Sequence, residues 1–225
     1  MSLQSSPVST LLFDMDNTLF DLVAAQIASC HEVTRSLGRD DGDDLFSYFL
    51  QPVHGFESHA NIRQYLEERN IAVDGTYDRA CRIYETEKLR HIYPYPGVRE
   101  TLVQLHDRGY PMCIVTDAHS RDATLRLEKI GLLPFFTAMV SYDMVHVKKP
   151  ADEPFLTALE MMKTSPDGAL LIGDSIRRDI EPCIRLGIRT VYARYGDRFS
   201  AGRQDPGADF TIDTIDDLLR ILEKM

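Results

Sequence analysis

Short apolar segments that end in polar residues recur along this chain and alternate with helical segments. The apolar segments are TLLFD (10–14), MCIVTD (112–117), AMVSYD (138–143), ALLIGD (169–174), TVYA (190–193) and the weaker DFTI (209–212). Near-continuous apolar strands are typical of parallel sheets, because both faces of such sheets are covered. Helices between successive strands supply that cover. The pattern therefore predicts a doubly wound α/β fold.

The helical segments are identified by their apolar spacing. In VRETLVQLHDRG, Val98, Leu102 and Leu105 share one stripe, and Gly109 gives a common signal for a helix end. TLRLEKIG, EPFLTALEMM and IEPCIRLG have similar patterns. Pro182 is tolerated in the first turn of a helix, which predicts that this last helix begins near Asp179.

One long interval contains no convincing strand. From about Phe20 to Tyr93 the chain carries four helical segments, VAAQIASCHEVTRSLG, DDLFSYFL, ANIRQYLEERN and YDRACRIYETEKLRHI. The interval is too long for a single crossover and too regular for a loop, so we predict an inserted helical bundle. The expected domains are an α/β core of residues 8–19 and 94–225 and a helical domain of residues 20–93.

Composition excludes several classes of partner. The formal net charge of -10 argues against a nucleic acid polymer or an anionic membrane as the main partner, since both are bound through excess Lys and Arg. No apolar stretch approaches the roughly 20 residues that span a bilayer. The four cysteines are scattered without a C-x-x-C pair, which is typical of free thiols in a reducing compartment. We therefore expect a cytoplasmic protein, and the sequence does not indicate its oligomeric state.

Polar residues follow four of the expected strands. The clusters are Asp14 with Asp16, Thr116 with Asp117, Lys148 with Lys149, and Asp174 with Ser175 and Asp179. A single aspartate after a strand is more often a helix cap or a solvated loop residue. Ligands of parallel α/β sheets bind beyond the carboxyl ends of the strands, however, and four clusters at that edge are hard to assign to capping. Together they indicate a site.

The residue types of these clusters suit metal-assisted phosphoryl transfer. Mg2+ prefers oxygen ligands and commonly takes one or two carboxylates together with a substrate phosphate oxygen. Asp14 and Asp174 could supply these carboxylates, with Asp179 as a further ligand. A carboxylate can also attack phosphorus, while a Lys amine and a Thr hydroxyl stabilise the transferring group.

The four clusters resemble the four motifs of the haloacid dehalogenase superfamily, in the branch with a helical cap between the first and second motifs. The matching segments are Asp14-Met-Asp16-Asn-Thr18, the strand end IVTD with Thr116, KKPADEPF with Lys149 before Pro150, and Gly173-Asp174-Ser175 through Asp179. The resemblance runs from about Leu11 to the C-terminal ADFTIDTIDDLLRIL. It implies a Rossmann-like core with an inserted small α-helical cap domain.

The resemblance also implies roles for these residues. Asp14 would be the nucleophile and a metal ligand, and Asp16 would protonate the leaving alcohol and then activate water. Thr116 and Lys149 would hold the phosphoryl group, to which Asp117 could add its backbone N–H unless it begins a helix. The implied metal positions are Asp14, Asp16, Asp174 and Asp179. The second aspartate, Asp16, favours a phosphatase over a dehalogenase, because a halide leaves without a proton.

The implied activity is Mg2+-dependent hydrolysis of a small soluble phosphate ester through an aspartyl-phosphate. A phosphomutase would use the same residues. A phospho-receiver-like signalling domain is disfavoured because receivers are shorter and lack the helical insertion, and a catalytically idle binding protein is a further alternative. Two questions stay open at this point. Lys148 adjoins Lys149, and His54 and Arg63 either select the substrate or belong to a solvated loop and helix start.

Overall fold

The computed structural model describes residues 7–199 and 207–225 and divides the chain into two compact units. One unit contains the chain up to Asp21 and from Tyr93 onward, and the other is Leu22–Ile92. Among the helices in the described ranges, none is both long enough and apolar enough to cross a membrane.

The first unit is built on a six-stranded parallel sheet. Its strands are β1 (Thr10–Phe13), β2 (Met112–Val115), β3 (Ala138–Val140), β4 (Ala169–Gly173), β5 (Arg189–Ala193) and β6 (Phe210–Ile212). They lie in the order β3-β2-β1-β4-β5-β6, and every pairing is parallel. The residues of β1, β2 and β4 are buried throughout, as their apolar sequences predict. The predicted doubly wound fold is confirmed.

Helices account for most of the remaining regular structure. They are α1 (Leu22–Ser36), α2 (Gly42–Leu50), α3 (Ala60–Glu68), α4 (Thr76–Arg90), α5 (Val98–Asp107), α6 (Ser120–Lys129), α7 (Tyr142–Val145), α8 (Glu153–Met162), α9 (Glu181–Leu186) and α10 (Asp217–Leu222). The first four form the second unit, and the others belong to the α/β unit.

Strand order places the loops after β1 and β4 at the centre of one sheet edge. From β1 the chain builds outward through β2 and β3 on one side, and then returns to build β4, β5 and β6 on the other. The loops that follow β1 and β4 therefore diverge, which opens a crevice at the carboxyl ends of these strands. Asp14 and Asp174 are the first residues after these two strands.

Two predicted boundaries differ from the structure. The segment AMVSYD was expected to be extended to Asp143, but β3 ends at Val140 and α7 begins at Tyr142. The Asp143 carboxylate accepts hydrogen bonds from the Ser141 hydroxyl and from the backbone N–H and hydroxyl of Ser120. These local bonds compete with continued strand pairing. The other boundary is the start of α9, at Glu181 rather than near Asp179, after one π-helical turn over Ile176–Ile180.

The helical unit has its own apolar core. Phe49 and Tyr84 stack with their ring centroids 4.9 Å apart, and both side chains are fully buried. Buried Gln26 donates to the Tyr84 hydroxyl and to the Phe56 carbonyl, which ties the α2–α3 loop to this core. The unit thus contains the four helical segments expected from the sequence.

Adjacent positions of α5 offer a test of this packing. Leu102 is fully buried, whereas Val103 is 38% exposed on the same helix. We predict that Leu102→Ala lowers the free energy of unfolding by about 2–5 kcal/mol, because it removes buried methyl groups and leaves a cavity. Val103→Ala should change it by no more than about 0.5 kcal/mol. Urea unfolding followed by circular dichroism measures both variants, and equal shifts would contradict the assigned core.

Candidate active site

A buried ion cluster lies where β1, β2 and β4 end. The Lys149 Nζ atom donates to Asp14 Oδ1 at 2.5 Å, to Asp179 Oδ1 at 2.6 Å and to the Val115 carbonyl at 3.1 Å. The side chains of Lys149, Asp14 and Asp179 are only 1%, 4% and 0% exposed. Each N–H of the ammonium group therefore has an acceptor, which a buried charge requires.

The structure distinguishes the two adjacent lysines. Lys149 enters the ion cluster, whereas the Lys148 Nζ atom lies 5.3 Å from the centre of the Tyr142 ring. Lys149 is thus the lysine at the site. Its ammonium group holds one carboxylate oxygen of Asp14 and one of Asp179.

Thr18 joins the loops after β1 and β4. Its hydroxyl donates to Asp14 Oδ2 at 2.8 Å, lies 3.3 Å from Asp174 Oδ1 and accepts a hydrogen bond from the Asp174 backbone N–H at 3.1 Å. The Thr18 side chain is fully buried. One hydroxyl group thereby fixes the two strand-end aspartates relative to each other.

The turn after β4 requires a glycine. A Cβ atom at Gly173 would lie 2.7 Å from both Cβ and Cγ of Asp179, which is closer than such atoms approach. Asp179 Oδ2 also accepts a hydrogen bond from the Ser175 backbone N–H at 3.1 Å. The Ser175 hydroxyl accepts one from the Arg178 backbone N–H, so Ser175 begins the π-helical turn. Gly173 therefore lets the Asp179 carboxylate return to the strand end.

The loop after β5 packs against the β1 loop. The Tyr195 hydroxyl donates to the Thr18 carbonyl at 2.8 Å. A Cβ atom at Gly196 would lie only 1.8 Å from the Asn17 carbonyl oxygen, so this contact excludes any larger residue. Asn17 itself has a φ of 66°, a left-handed conformation that asparagine tolerates better than most residues. The loop after β5 thus holds the turn that carries Asp16 at two neighbouring residues, Asn17 and Thr18.

Asp16 has a different partner from Asp14. Its Oδ1 atom accepts a hydrogen bond from Arg126 Nη1 of α6 at 2.9 Å. Among the described residues, the side-chain carboxylates that lie close enough to share a metal ion are those of Asp14, Asp174 and Asp179. That Asp16 also holds the metal stays a prediction.

Thr116 and Asp117 lie at the end of β2. The Thr116 hydroxyl is buried and accepts a hydrogen bond from the Ala118 backbone N–H at 3.1 Å. Asp117 does not begin α6, which starts at Ser120. Instead its Oδ1 atom accepts from the Lys149 backbone N–H at 2.9 Å, and its Oδ2 atom lies 3.5 Å from Arg178 Nη1. Asp117 therefore holds the backbone of the segment that carries Lys149.

The charges in this cluster are strongly coupled. Burial raises the pKa of Asp14, but attraction to Lys149 and Arg178 outweighs it, so the pKa lies below its ordinary value. Burial and repulsion from Asp14 and Asp179 raise the pKa of Asp174 well above its ordinary value. Burial also raises the pKa of Asp179, against attraction to Lys149. Burial lowers the pKa of Lys149, but attraction to Asp14 and Asp179 reverses this and raises it.

The donor set fits a divalent cation. One carboxylate oxygen from each of Asp14, Asp174 and Asp179 lies within 4.8 Å of the others. Oxygen ligands are those that Mg2+ prefers. With Asp117, Lys149 and Arg178 included, four carboxylates face two cationic side chains, so two positive charges would balance the cluster. The raised pKa of Asp174 has a related origin, since burial and the negative charges of Asp14 and Asp179 oppose its ionisation.

The other predicted residues belong to the helical unit. His54 is exposed in a turn after α2. Arg63 lies on α3, and its guanidinium group sits 4.2 Å from the centre of the Tyr77 ring. The neighbouring His59 pairs with Glu85 at 2.7 Å, and the Asn61 side chain donates to the Gly55 carbonyl. His59 and Asn61 therefore stabilise the loop and the start of α3.

Several site residues were missed from the sequence. Arg126, Arg178, Tyr195 and Gly196 all contact motif residues, yet none had been singled out. The sequence does contain a sign that Arg126 has a partner. Arg126 lies with Leu127 on the buried face of α6, where an arginine needs a group that compensates its charge. Arg178 occupies a variable position of the fourth motif, and Tyr195 and Gly196 lie outside every motif.

Comparison with known proteins finds a matching family and several relatives. A family model described as haloacid dehalogenase-like hydrolase matches residues 11–193. The chain is 26% identical to the glyceraldehyde 3-phosphate phosphatase of Pyrococcus furiosus, over 96% of this chain and 94% of that protein. It is also 26% identical to the phosphoglycolate phosphatase of Aquifex aeolicus, over 95% of this chain and 96% of that protein.

Solved structures share the fold. A Thermotoga maritima protein, provisionally assigned as a beta-phosphoglucomutase, has a TM-score of 0.82 at 22% identity, with 97% of this chain and 100% of that chain covered. The provisionally assigned hydrolase YfnB of Bacillus subtilis, solved bound to magnesium, has a TM-score of 0.79 at 21% identity, with the same coverage. Likeness at these identities shows a common architecture.

The Thr18 contacts generate a prediction about stability. Thr18→Val keeps the shape of the side chain but leaves the Asp174 backbone N–H and Asp14 Oδ2 without their hydrogen bonds to the hydroxyl. We expect the free energy of unfolding to fall by about 1–3 kcal/mol, because buried polar groups are left unsatisfied. Thr18→Ser keeps the hydroxyl and is the matched control. Urea unfolding in EDTA measures both, and a valine variant as stable as the serine variant would refute the bridging role.

Proposed function

The chain belongs to the haloacid dehalogenase-like hydrolase family and is an enzyme, and we propose that it hydrolyses small soluble phosphate monoesters with Mg2+. The proposal includes a covalent aspartyl-phosphate on Asp14. One observation carries it. Asp14 lies at the carboxyl end of the central strand, beside two further carboxylates, and is fixed by Lys149 and Thr18.

The position of Asp14 suits a nucleophile. Its Oδ1 atom is held by Lys149 and its Oδ2 atom by Thr18, which fixes the plane of the carboxylate. Its lowered pKa favours the ionised form, which is the form that can attack phosphorus. In the proposed first step an Asp14 oxygen bonds to phosphorus as the ester oxygen leaves, and Asp16 supplies the proton that the departing alcohol needs.

In the proposed second step water attacks the phosphorus of the aspartyl-phosphate, the bond between phosphorus and the Asp14 oxygen breaks, and the Asp16 carboxylate takes a proton from that water. Inorganic phosphate leaves and the Asp14 carboxylate is restored. Asp14, Asp174 and Asp179 would hold Mg2+. When bound, Mg2+ supplies positive charge that stabilises the phosphoryl oxygens. We propose that the Thr116 hydroxyl and the Asp117 backbone N–H donate to the phosphoryl group, and that Lys149, whose N–H groups hold Asp14, Asp179 and the Val115 carbonyl, stabilises it through its positive charge.

The proposed substrate class follows from the relatives. Glyceraldehyde 3-phosphate and phosphoglycolate, which name two of them, are small phosphate compounds. Selection by His54 and Arg63 of the helical unit stays a prediction. We also propose a cytoplasmic location, because Cys30, Cys81, Cys113 and Cys183 are all free thiols, which is typical of a reducing compartment.

The first test is phosphate release from a panel of small phosphate esters, with Mg2+ and with excess EDTA. We expect release by the wild type only with Mg2+, and none by Asp14→Asn, since an amide is a poor nucleophile toward phosphorus. Intact-mass measurement of the wild type during turnover should show one added phosphoryl group. Isomerised esters without free phosphate would instead indicate a mutase, and release that persists in EDTA would refute the proposed metal dependence.

The adjacent lysines provide a second test. Lys149→Met should lower kcat by about 10²–10³-fold, because a cation at the phosphoryl site is lost. It should also destabilise the fold, because Asp14 and Asp179 lose their shared cation. Lys148→Met should keep kcat within about threefold of the wild-type value. Lys148 lies over the Tyr142 ring and touches none of the proposed catalytic residues. The kinetics are measured on protein shown to be folded by circular dichroism, and equal losses would refute the assignment.

A further inference from the structure

A buried arginine of α6 contacts Asp16. The side chain of Arg126 is 4% exposed and that of Asp16 is 16% exposed, and Nη1 donates to Oδ1 at 2.9 Å. On the same helix Ala123 and Leu127 are fully buried, so Arg126 lies on the face that packs inward. An arginine is placed on such a face only when its charge is compensated.

The pair connects two elements that are each fixed independently. On one side, the Asp16 turn is held by the Asn17 N–H, which donates to the Phe20 carbonyl at 2.8 Å, and by Tyr195 and Gly196 against Thr18 and Asn17. On the other side, α6 begins at Ser120, whose backbone N–H and hydroxyl both donate to Asp143 at 2.7 Å. Arg126 therefore projects from an anchored helix toward an anchored turn.

In this geometry Arg126 can orient the side chain of Asp16. Backbone contacts fix where Asp16 begins, but rotation about its side-chain bonds decides where its carboxyl oxygens lie. A planar guanidinium group restricts that rotation more than a flexible amine would. Asp14 needs no such partner, because Lys149 and Thr18 already fix both of its oxygens.

We propose that Arg126 is a positioning residue that orients the Asp16 carboxyl group for proton transfer to the leaving alcohol. The inference rests on the proposed function. In the step concerned, the bond between phosphorus and the ester oxygen breaks, an Asp14 oxygen bonds to phosphorus, and the Asp16 proton passes to the ester oxygen. The alcohol leaves neutral and Asp16 becomes a carboxylate. In this proposal Arg126 acts on the reaction through Asp16.

Leaving-group dependence separates this role from a structural one. A p-nitrophenolate ion is stable and leaves without a proton, whereas the alkoxide of benzyl alcohol is strongly basic and needs one. The ratio kcat/KM reports the steps up to departure of the alcohol, so it isolates this proton transfer from later hydrolysis of the aspartyl-phosphate. A loss of folded protein lowers kcat/KM for both esters equally.

The experiment compares kcat/KM for benzyl phosphate and p-nitrophenyl phosphate in Mg2+. Arg126→Met should lose about 10²-fold with benzyl phosphate, the size of effect expected from a misplaced catalytic group, and less than about threefold with p-nitrophenyl phosphate. Arg126→Lys, which restores a cation, should recover part of the benzyl phosphate activity. Arg121→Met, at an exposed arginine of the same helix, is the matched control and should match the wild type.

Asp16→Asn completes a double-mutant cycle with Arg126→Met. It should show the same selective loss, and adding Arg126→Met to it should cause no further loss if Arg126 acts only through Asp16. Equal losses of Arg126→Met on the two esters would overturn the positioning role, and so would faster cleavage of benzyl phosphate, which would mean that Arg126 holds Asp16 away. Wild-type inactivity on both esters and on the wider panel would instead refute the proposed function itself, and the inference with it.

Discussion

The buried contact of Lys149 with Asp14 and Asp179 is the interaction on which the rest of the site depends. Three charged groups are removed from water here, and each loses hydration that only close, well-directed partners can replace. The ammonium group directs one N–H to each carboxylate and its remaining N–H to the Val115 carbonyl. This requirement explains why Gly173 must be small and why Asp117 holds the backbone of Lys149. The ends of β1, β2 and β4 are thereby fixed to one another through charge.

Strand order determines which residues can take part in that contact. The order β3-β2-β1-β4-β5-β6 places the switch point between β1 and β4, so the first residues after these strands face one crevice. A receiver-like domain would have the flavodoxin-like order 2-1-3-4-5, with its switch point elsewhere. The observed topology therefore argues against the signalling alternative. It also explains why residues far apart in the chain, such as Thr18 and Asp174, can share one hydrogen bond.

Most of the fold was predictable, because burial on both faces of a parallel strand leaves a visible apolar run. The six strands and the main helices follow from that pattern, and AMVSYD was over-extended only because Asp143 bonds locally to Ser120 and Ser141. For the site, clustering at strand ends was sufficient to nominate the aspartates and the pair Lys148 and Lys149, whereas the choice of Lys149 rested on the family motif. Their partners were not predictable, since the pairing of Asp16 with Arg126 depends on the rotation of α6 relative to the β1 turn. The spacing of apolar residues shows which face of a helix is buried, but it does not show which residue of a neighbouring element that face contacts.

The partners also explain how one residue type can serve different tasks in one small volume. Asp14 accepts hydrogen bonds from an ammonium and a hydroxyl group, and Asp16 accepts one from a guanidinium group. The pKa of Asp174 is set mainly by burial and by the negative charges nearby. An aspartate held ionised suits attack on phosphorus, whereas one whose charge is poorly compensated suits a cation. Enzyme sites commonly assign different roles to neighbouring carboxyl groups by giving them environments that make their pKa values differ. The different roles proposed for these aspartates are therefore determined by the cations and the hydroxyl group that contact them, since the side chains themselves are identical.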